Sequence, residues 1–247
     1  YAIGDAIIET GEPYLHFKDN INKFSNQKNV GVIKSSNLCS EIMEVADDNN
    51  TAVCNLGSIA LPKCVEDGKF NFSKLIGIAY QLCKNLNRII DCNYYPTECA
   101  SNSNSVNRPI GIGIQGLTDV FQMLDIAWSD DEALELNNKI QEAIYYATLS
   151  SSCDLAKELG PYKNYEGSPI HKGILHFDHY EITPSGVEGL CDWYSLRKQI
   201  KTYGIRNSLL VALMPTATSS YALGNTESFE PPFYNIFVRK GKHSNFY

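Results

Sequence analysis

No stretch of this chain approaches the roughly 20 consecutive apolar residues that a helix needs to cross a bilayer, and Tyr1 to Asp19 has neither the basic nor the apolar region of a secretory leader. A cytoplasmic setting is therefore expected. The eight cysteines (39, 54, 64, 83, 92, 99, 153 and 191) include no CxxC pair, and a chain of 247 residues is too long to need covalent staples. Most of them are expected as free thiols packed like small hydrophobes. Positive charge is also scarce: a net charge of -7 argues against nucleic acid or an anionic membrane as the main partner, leaving room only for a local basic phosphate site. No GK[ST] follows a glycine-rich loop, so nucleotide hydrolysis is not suggested. Without an internal repeat, linker or low-complexity block, 1–247 reads as one unit. With no initiator Met before a helix-like start, it reads as a segment of a longer chain.

What is present is ample core material, 43% hydrophobic. Hydrophobic spacing predicts a short helix at Tyr1 to Thr10, then a polar loop, then extended chain around Asn37 to Ile42. A second extended stretch, Thr51 to Leu61, follows a polar turn at Asp47 to Asn50, and a hairpin-like pairing of the two would bring Cys39 near Cys54. A long helix is expected to start at a Ser73 cap and run to about Asp91, with Leu75, Ile76, Ala79, Leu82, Cys83, Leu86, Ile89 and Ile90 at helical spacing. Pro96 follows as a stop signal. Ser101 to Arg108 reads as a polar loop and Gly113 to Leu124 as a helix. Ser129-Asp130-Asp131-Glu132 has capping-box spacing and opens a long helix to Gly160. Pro161 to Pro184 is irregular, and Asp192 to Tyr203 is a helix ended by Gly204. Ser208 to Leu213 is a buried-type strand, and Tyr234 to Arg239 is another. Strands alternating with helices make the fold class α/β.

Chemistry is concentrated at Asn37-Leu38-Cys39-Ser40-Glu41. In extended chain, alternation puts Asn37, Cys39 and Glu41 on one face and Leu38 and Ser40 on the other. That face carries an amide, a sulfur and a base; a half-buried strand with one buried thiol and two solvated polar residues fits the same spacing. Pro215-Thr216-Ala217-Thr218-Ser219-Ser220 follows the Ser208 to Leu213 strand as a hydroxyl-rich turn. Such a turn suits a phosphate, or is a plain N-cap. Gly111-Ile112-Gly113-Ile114-Gln115-Gly116 satisfies GxGxxG, with acids at Asp130 and Asp131, so a dinucleotide-binding dehydrogenase is the alternative reading. It lacks a convincing strand before the glycines, which are read instead as close packing of a helix entry against a sheet. His171, His176 and His179 read as surface histidines and Tyr94-Tyr95 as packing residues, with no metal site expected.

Taken in register, several stretches resemble the large catalytic subunit of the aerobic ribonucleotide reductases of eukaryotes and their viruses. They are Asn37-Leu38-Cys39-Ser40-Glu41-Ile42, Val53-Cys54-Asn55-Leu56-Gly57-Ser58, Arg108 to Leu117, Gly204 to Ser208 and Met214 to Ser219. That resemblance implies a segment of a ten-stranded α/β barrel, with Asn37 to Glu41 on a finger loop in its interior. It implies that the whole enzyme reduces ribonucleoside diphosphates to deoxyribonucleotides for DNA synthesis. By the same resemblance Cys39 is the thiyl-radical site, Glu41 takes the 3'-hydroxyl proton and Asn37 orients the ribose hydroxyls. Cys54 is one of two reducing thiols, and Pro215, Thr216, Ala217, Thr218, Ser219 and Ser220 hold the diphosphate, with Leu38 and Ser40 also lining the substrate. The family's other reducing thiol, relay tyrosines, regulatory N-terminal region and C-terminal dithiol are expected outside this segment, which alone should not turn over. The radical is expected from a metal-containing small subunit, the recycling electrons from a thioredoxin- or glutaredoxin-type dithiol, and the large subunit as a homodimer. For one nucleotide to bridge them, Cys39 should lie in a closed pocket opposite the Thr216 turn.

Overall fold

The computed structural model describes residues 1–232, 234, 238–240 and 245–246. It begins with α1 (Ala2–Thr10) and α2 (Lys18–Phe24), the second lying where only a polar loop was expected. Then come β1 (Leu56–Ala60), a small hairpin of β2 (Val65–Glu66) and β3 (Lys69–Phe70), α3 (Phe72–Cys92), α4 (Glu98–Asn107) and β4 (Gly111–Gln115). After these come α5 (Leu117–Met123), α6 (Asp131–Leu159), α7 (Trp193–Tyr203), α8 (Ala217–Leu223), and a short antiparallel pair of β5 (Arg239–Lys240) with β6 (Asn245–Phe246). The expected strand at Tyr234 to Arg239 includes 235–237, which lie outside the described residues.

β4 is the centre of the sheet, and all of its residues are buried. On one side β1 runs parallel to it, from Leu56 opposite Gly111 to Ala60 opposite Gln115. On the other side lies the chain from Ser208 to Leu213: the amides of Ile110 and Ile112 donate to the Leu209 and Leu210 carbonyls at 3.0 and 2.9 Å, and the Ala212 amide returns to Ile112 O at 3.2 Å. Leu210 and Ala212 face the core while Val211 and Leu213 face outward, so this strand is half-buried rather than wholly buried. Parallel neighbours need long crossovers, here supplied by α3 with α4 and by α5 to α7. The α/β class is borne out. The barrel is not closed among the described residues, where the named strands form only two-stranded sheets.

The glycines of the 111–116 stretch therefore serve the sheet, not a nucleotide. A Cβ on Gly111 would come within 2.8 Å of Leu56 and Ala212 side-chain atoms. One on Gly113 would strike the Ala212 carbonyl and come within 2.8 Å of Met214 Sδ. A dinucleotide fingerprint needs its glycines in the turn after the strand, whereas Gly111 and Gly113 lie inside β4. The expected helix from Gly113 is thus a strand followed by α5, which starts only at Leu117.

α3 packs along α6 through Leu75, Ala79, Cys83 and Leu86 on one side and Ile140, Ala143, Ile144 and Ala147 on the other, each at helical spacing. Small residues let the axes approach, close enough for Ser151 Oγ to donate to the Tyr80 carbonyl at 2.9 Å. The cap of α3 is Asn71, whose side chain accepts from the Lys74 amide at 2.9 Å, because Ser73 already lies inside the first turn. Asp130 precedes α6 without a side-chain cap; its carboxylate instead accepts from Ala127 N at 2.9 Å, so the expected capping box does not form. α4 replaces the expected loop at Ser101 to Arg108. Thr97 caps it, and its buried face is Ala100, Ser103, Asn104 and Asn107, a polar surface paired with polar partners.

A buried polar network lies at the C-terminal end of α4. Arg108 leaves α4 in the left-handed region (φ 47°) and forks onto Asp91 at 2.6 and 3.0 Å. Asn207 donates to the Arg108 carbonyl at 2.8 Å and to Asn87 Oδ1 at 3.1 Å, while accepting from Ser152 Oγ at 2.8 Å. Desolvated groups like these cost energy unless each is satisfied, so the network fixes where the strand starting at Ser208 leaves α7 and enters the sheet. Tyr95 packs with its hydroxyl on Ile90 O at 2.8 Å, but its neighbour Tyr94 is largely exposed and is not a packing residue.

Candidate active site

Two side chains tie the segment before the motif to the outer strand of the sheet. Gln27, fully buried, donates to Ser208 Oγ at 2.9 Å and accepts from the Val45 amide at 2.8 Å. Asn26 donates to the Ser208 carbonyl at 2.8 Å. Between these anchors the chain carries Asn37 to Glu41 as a turn, not the extended stretch expected. Ser40 has φ +70°, and its amide donates back to Asn37 O at 3.2 Å. A residue in the left-handed region ends strand pairing, so the hairpin with Thr51 to Leu61 does not form and β1 pairs with β4 instead.

The turn nonetheless joins two of the expected side chains, Asn37 and Glu41. Asn37 Nδ2 donates to Glu41 Oε2 at 2.6 Å, and Asn37 Oδ1 accepts from the Ile42 amide at 3.0 Å. Cys39 lies between them in sequence, and Leu38 forms the tip, 91% exposed. His16 Nε2 sits 3.1 Å from Ser36 Oγ and 3.2 Å from Ser40 Oγ, pinning the turn from α2's side. Cys54 is held just before β1 by Asn55, whose buried side chain donates to Asn104 and to the Pro109 carbonyl. Desolvation of its sulfur, followed by the fields of Glu41, Glu44 and Cys39, raises the Cys54 thiol above its ordinary pKa. Cys39 and Cys54 line different cavities, with Glu41 on both, and no hairpin pairs their segments.

Glu41 borders two cavities. One, of about 650 Å³, is lined by Glu41, Glu44 and Cys54 together with the ends of β1 and β4. The other, of about 930 Å³, is lined by Cys39, Ser40 and Glu41 facing α6 and Trp193. Cys39 is exposed, which corrects the expectation of a closed pocket: the thiol stands at the edge of an open cleft. The hydroxyl-rich turn is only partly as expected. Pro215 to Ser220 line neither of these cavities. Thr216 is buried, with its Oγ1 accepting from the Ser228 amide at 2.8 Å, so that hydroxyl is engaged internally. Ser219 and Ser220 donate to the carbonyls of Thr216 and Ala217, and no side chain caps α8.

Cys64, Cys83, Cys153 and Cys191 are buried core residues, their thiols pushed up to about 11 or 12 by desolvation. His176 and His179 join an aromatic cluster with Phe24 and Tyr180. Among the described residues no group of His, Cys, Asp and Glu is placed to hold a metal ion, and no helix is long and apolar enough to cross a membrane. Sequence reading missed His16 and Glu44. Glu44 left a signal, an acid among Ile42, Met43 and Val45 with no basic residue beside it.

Cys39 thus follows an amide and precedes a carboxylate that are hydrogen-bonded to each other, and a second thiol, Cys54, lines the neighbouring cavity beside a parallel strand pair. The family model of the ribonucleotide reductase barrel domain matches residues 1–247, and the chain belongs to that family. Over 239 residues it is 52% identical to the ribonucleoside-diphosphate reductase large chain of Encephalitozoon cuniculi, covering 97% of this chain and 31% of that protein. The large subunit of Caenorhabditis elegans is 52% identical over 234 residues, covering 94% of this chain and 29% of that one. The large subunit of Variola virus is 52% identical over 239 residues, covering 97% and 31%. The chain thus spans about 31% of the length of such relatives.

Proposed function

We propose that this chain supplies the radical and base half of a ribonucleoside-diphosphate reductase, acting within a full-length large subunit. The observation that carries it is the 2.6 Å bond from Asn37 to Glu41 across Cys39, with Cys54 as the nearby second thiol. Cys39, having lost its hydrogen atom to a radical delivered by a metal-containing small subunit, takes the 3'-hydrogen of the ribose. Glu41 accepts the 3'-hydroxyl proton and Asn37 orients the hydroxyls. One thiol protonates the departing 2'-hydroxyl, which leaves as water, and the other thiol's hydrogen goes to the 2' carbon, the pair giving two electrons as they join in a disulfide while Glu41 returns its proton to the 3' oxygen. Cys54 is one of these thiols and ends in a disulfide. Cys39 then returns its hydrogen to the 3' carbon. An external dithiol of the thioredoxin or glutaredoxin type reopens the disulfide.

In this reading the segment is part of a ten-stranded barrel in a homodimeric, cytoplasmic enzyme, and walls contributed elsewhere in the full-length protein close the cleft over Cys39. The diphosphate lies on Thr216 to Ser220, where the uncapped first-turn amides of α8 and the Thr218 hydroxyl face the anion. Thr216 shapes that turn from within. Alone, the segment has no turnover. The test is Cys39→Ser in the full-length protein: deoxynucleotide formation should vanish while substrate binding persists, and retained formation would refute the assignment.

A further inference from the structure

Three residues after Glu41, the Glu44 carboxyl is only 4% exposed, and its Oε2 has no hydrogen-bond partner. Leaving a buried carboxylate oxygen unpaired is costly, and such groups are concentrated where they do chemistry. Glu44 lines the cavity of about 650 Å³ that also holds Cys54 and Glu41. The groups within hydrogen-bond reach of it are the Ser103 hydroxyl from α4, 3.4 Å from Oε1, and the Val53 amide, while the exposed Cys54 thiol lines the same cavity without a hydrogen bond to Glu44. Beyond Cys54 stand Glu41 and Cys39, and His16, His176 and His179 line the rest of the cavity. Burial pushes Glu44 up to about 8, offset in part by Ser103 and Val53. It is therefore a neutral acid at pH 7, carrying a proton in a cavity it shares with a redox thiol.

We propose that Glu44 is a positioning residue for Cys54, holding the proton that the Cys54 sulfur takes up when its disulfide is opened. When an incoming dithiol breaks the S–S bond, the Cys54 sulfur leaves as thiolate with the bonding pair. The Glu44 O–H breaks, its proton crosses the shared cavity through solvent, S–H forms on Cys54, and the carboxylate regains its proton from the attacking dithiol or from water. The direction is downhill, because the acid is the stronger of the two: the thiol lies above its ordinary value for the reasons given, and an ionised Glu44 raises it further. The inference rests on Cys54 being a redox thiol, but its test needs no turnover.

The experiment is alkylation of Cys54 by iodoacetamide from pH 6 to 10, read by peptide mass spectrometry on the full-length protein, since the thiolate is the reacting form. In Glu44→Gln the Cys54 midpoint should move to lower pH, so that alkylation at pH 8.5 rises by about three- to tenfold, as loss of one neighbouring carboxylate implies. Glu44→Asp should restore part of the original profile. Ser103→Ala, which removes only the hydroxyl that helps ionise Glu44, should move the acid's influence to higher pH and settles the matter if Glu44→Gln does not fold. Superimposable Cys54 profiles in wild type and Glu44→Gln, or in wild type and Ser103→Ala when the Gln variant is unfolded, would overturn the proposal. Neither result bears on whether Cys39 carries a radical.

Discussion

Asn37 and Glu41 are joined by a 2.6 Å hydrogen bond across a turn whose fourth residue, Ser40, is held in the left-handed region. Asn37 and Glu41 meet because the backbone folds under them, not because a strand alternates. Ser40→Gly should therefore keep the turn, since glycine adopts this conformation freely. Ser40→Val should strain it by about 1–2 kcal/mol and lower activity of the full-length enzyme with little change in thermal stability. Equal activity in the two variants would contradict the turn.

Gly113 is closed in by the Ala212 carbonyl and Met214 Sδ. Gly113→Ala is expected to cost about 1–3 kcal/mol, the usual range for overpacking, read as a lower denaturation midpoint. A variant as stable as wild type would mean that the strands around β4 are less tightly set than described.

Asn207 joins Asn87, Arg108 and Ser152 in the buried network. Asn207→Ala leaves the Ser152 hydroxyl proton without its acceptor and the Arg108 carbonyl without its donor, and should destabilise by about 2–4 kcal/mol. Urea denaturation measures it, and a loss below about 1 kcal/mol would show the network to be replaceable by water.

Glu142 accepts from the Ser185 hydroxyl, the amides of Ser185 and Gly186, and Trp193 Nε1, at 2.7 to 2.9 Å. Burial alone would raise its pKa, but these four donors outweigh it and hold the group below the usual glutamate range. A depressed folded-state pKa gives stability that is present above the unfolded value near 4.5 and fades as pH falls through the folded one. Glu142→Gln should thus cost about 1–2 kcal/mol at pH 7, after allowance for partial exposure, and less by pH 3. Glu44 carries the opposite sign. Raised to about 8, it stabilises most below pH 4.5, and that contribution is lost as pH rises through 8. Between pH 5 and 8 the wild type should lose stability relative to Glu44→Gln, by a few kcal/mol at most. Parallel stability curves would show Glu44 to be ionised throughout.

Legibility in the sequence followed the source of each feature's energy. α3, α6 and α7 bury apolar faces at 3.6-residue spacing, and so they could be read directly. α4 could not, because its buried face is Ser103, Asn104 and Asn107, whose partners come from residues as distant as Asn164. β4 was misread because its glycines look like a helix entry until the strands on either side are known. At the site, residue identity singled out Asn37, Cys39, Glu41 and Cys54 as candidates. The turn at Ser40, the internal bond of Thr216, the exposure of Cys39 and the burial of Glu44 are tertiary facts.

The central claim is that Cys39 takes the 3'-hydrogen and Cys54 acts only afterwards. Its most direct measurement is release of tritium to water from a ribonucleoside diphosphate labelled at the 3' carbon, using the full-length enzyme with its radical-generating partner. Wild type should form product that keeps nearly all of the label at its 3' carbon, because Cys39 returns the hydrogen it takes; Cys54→Ser should release label to water with little product, and Cys39→Ser should do neither. Tritium release by Cys39→Ser at a rate near that of Cys54→Ser, or product formation by Cys39→Ser, would contradict the account.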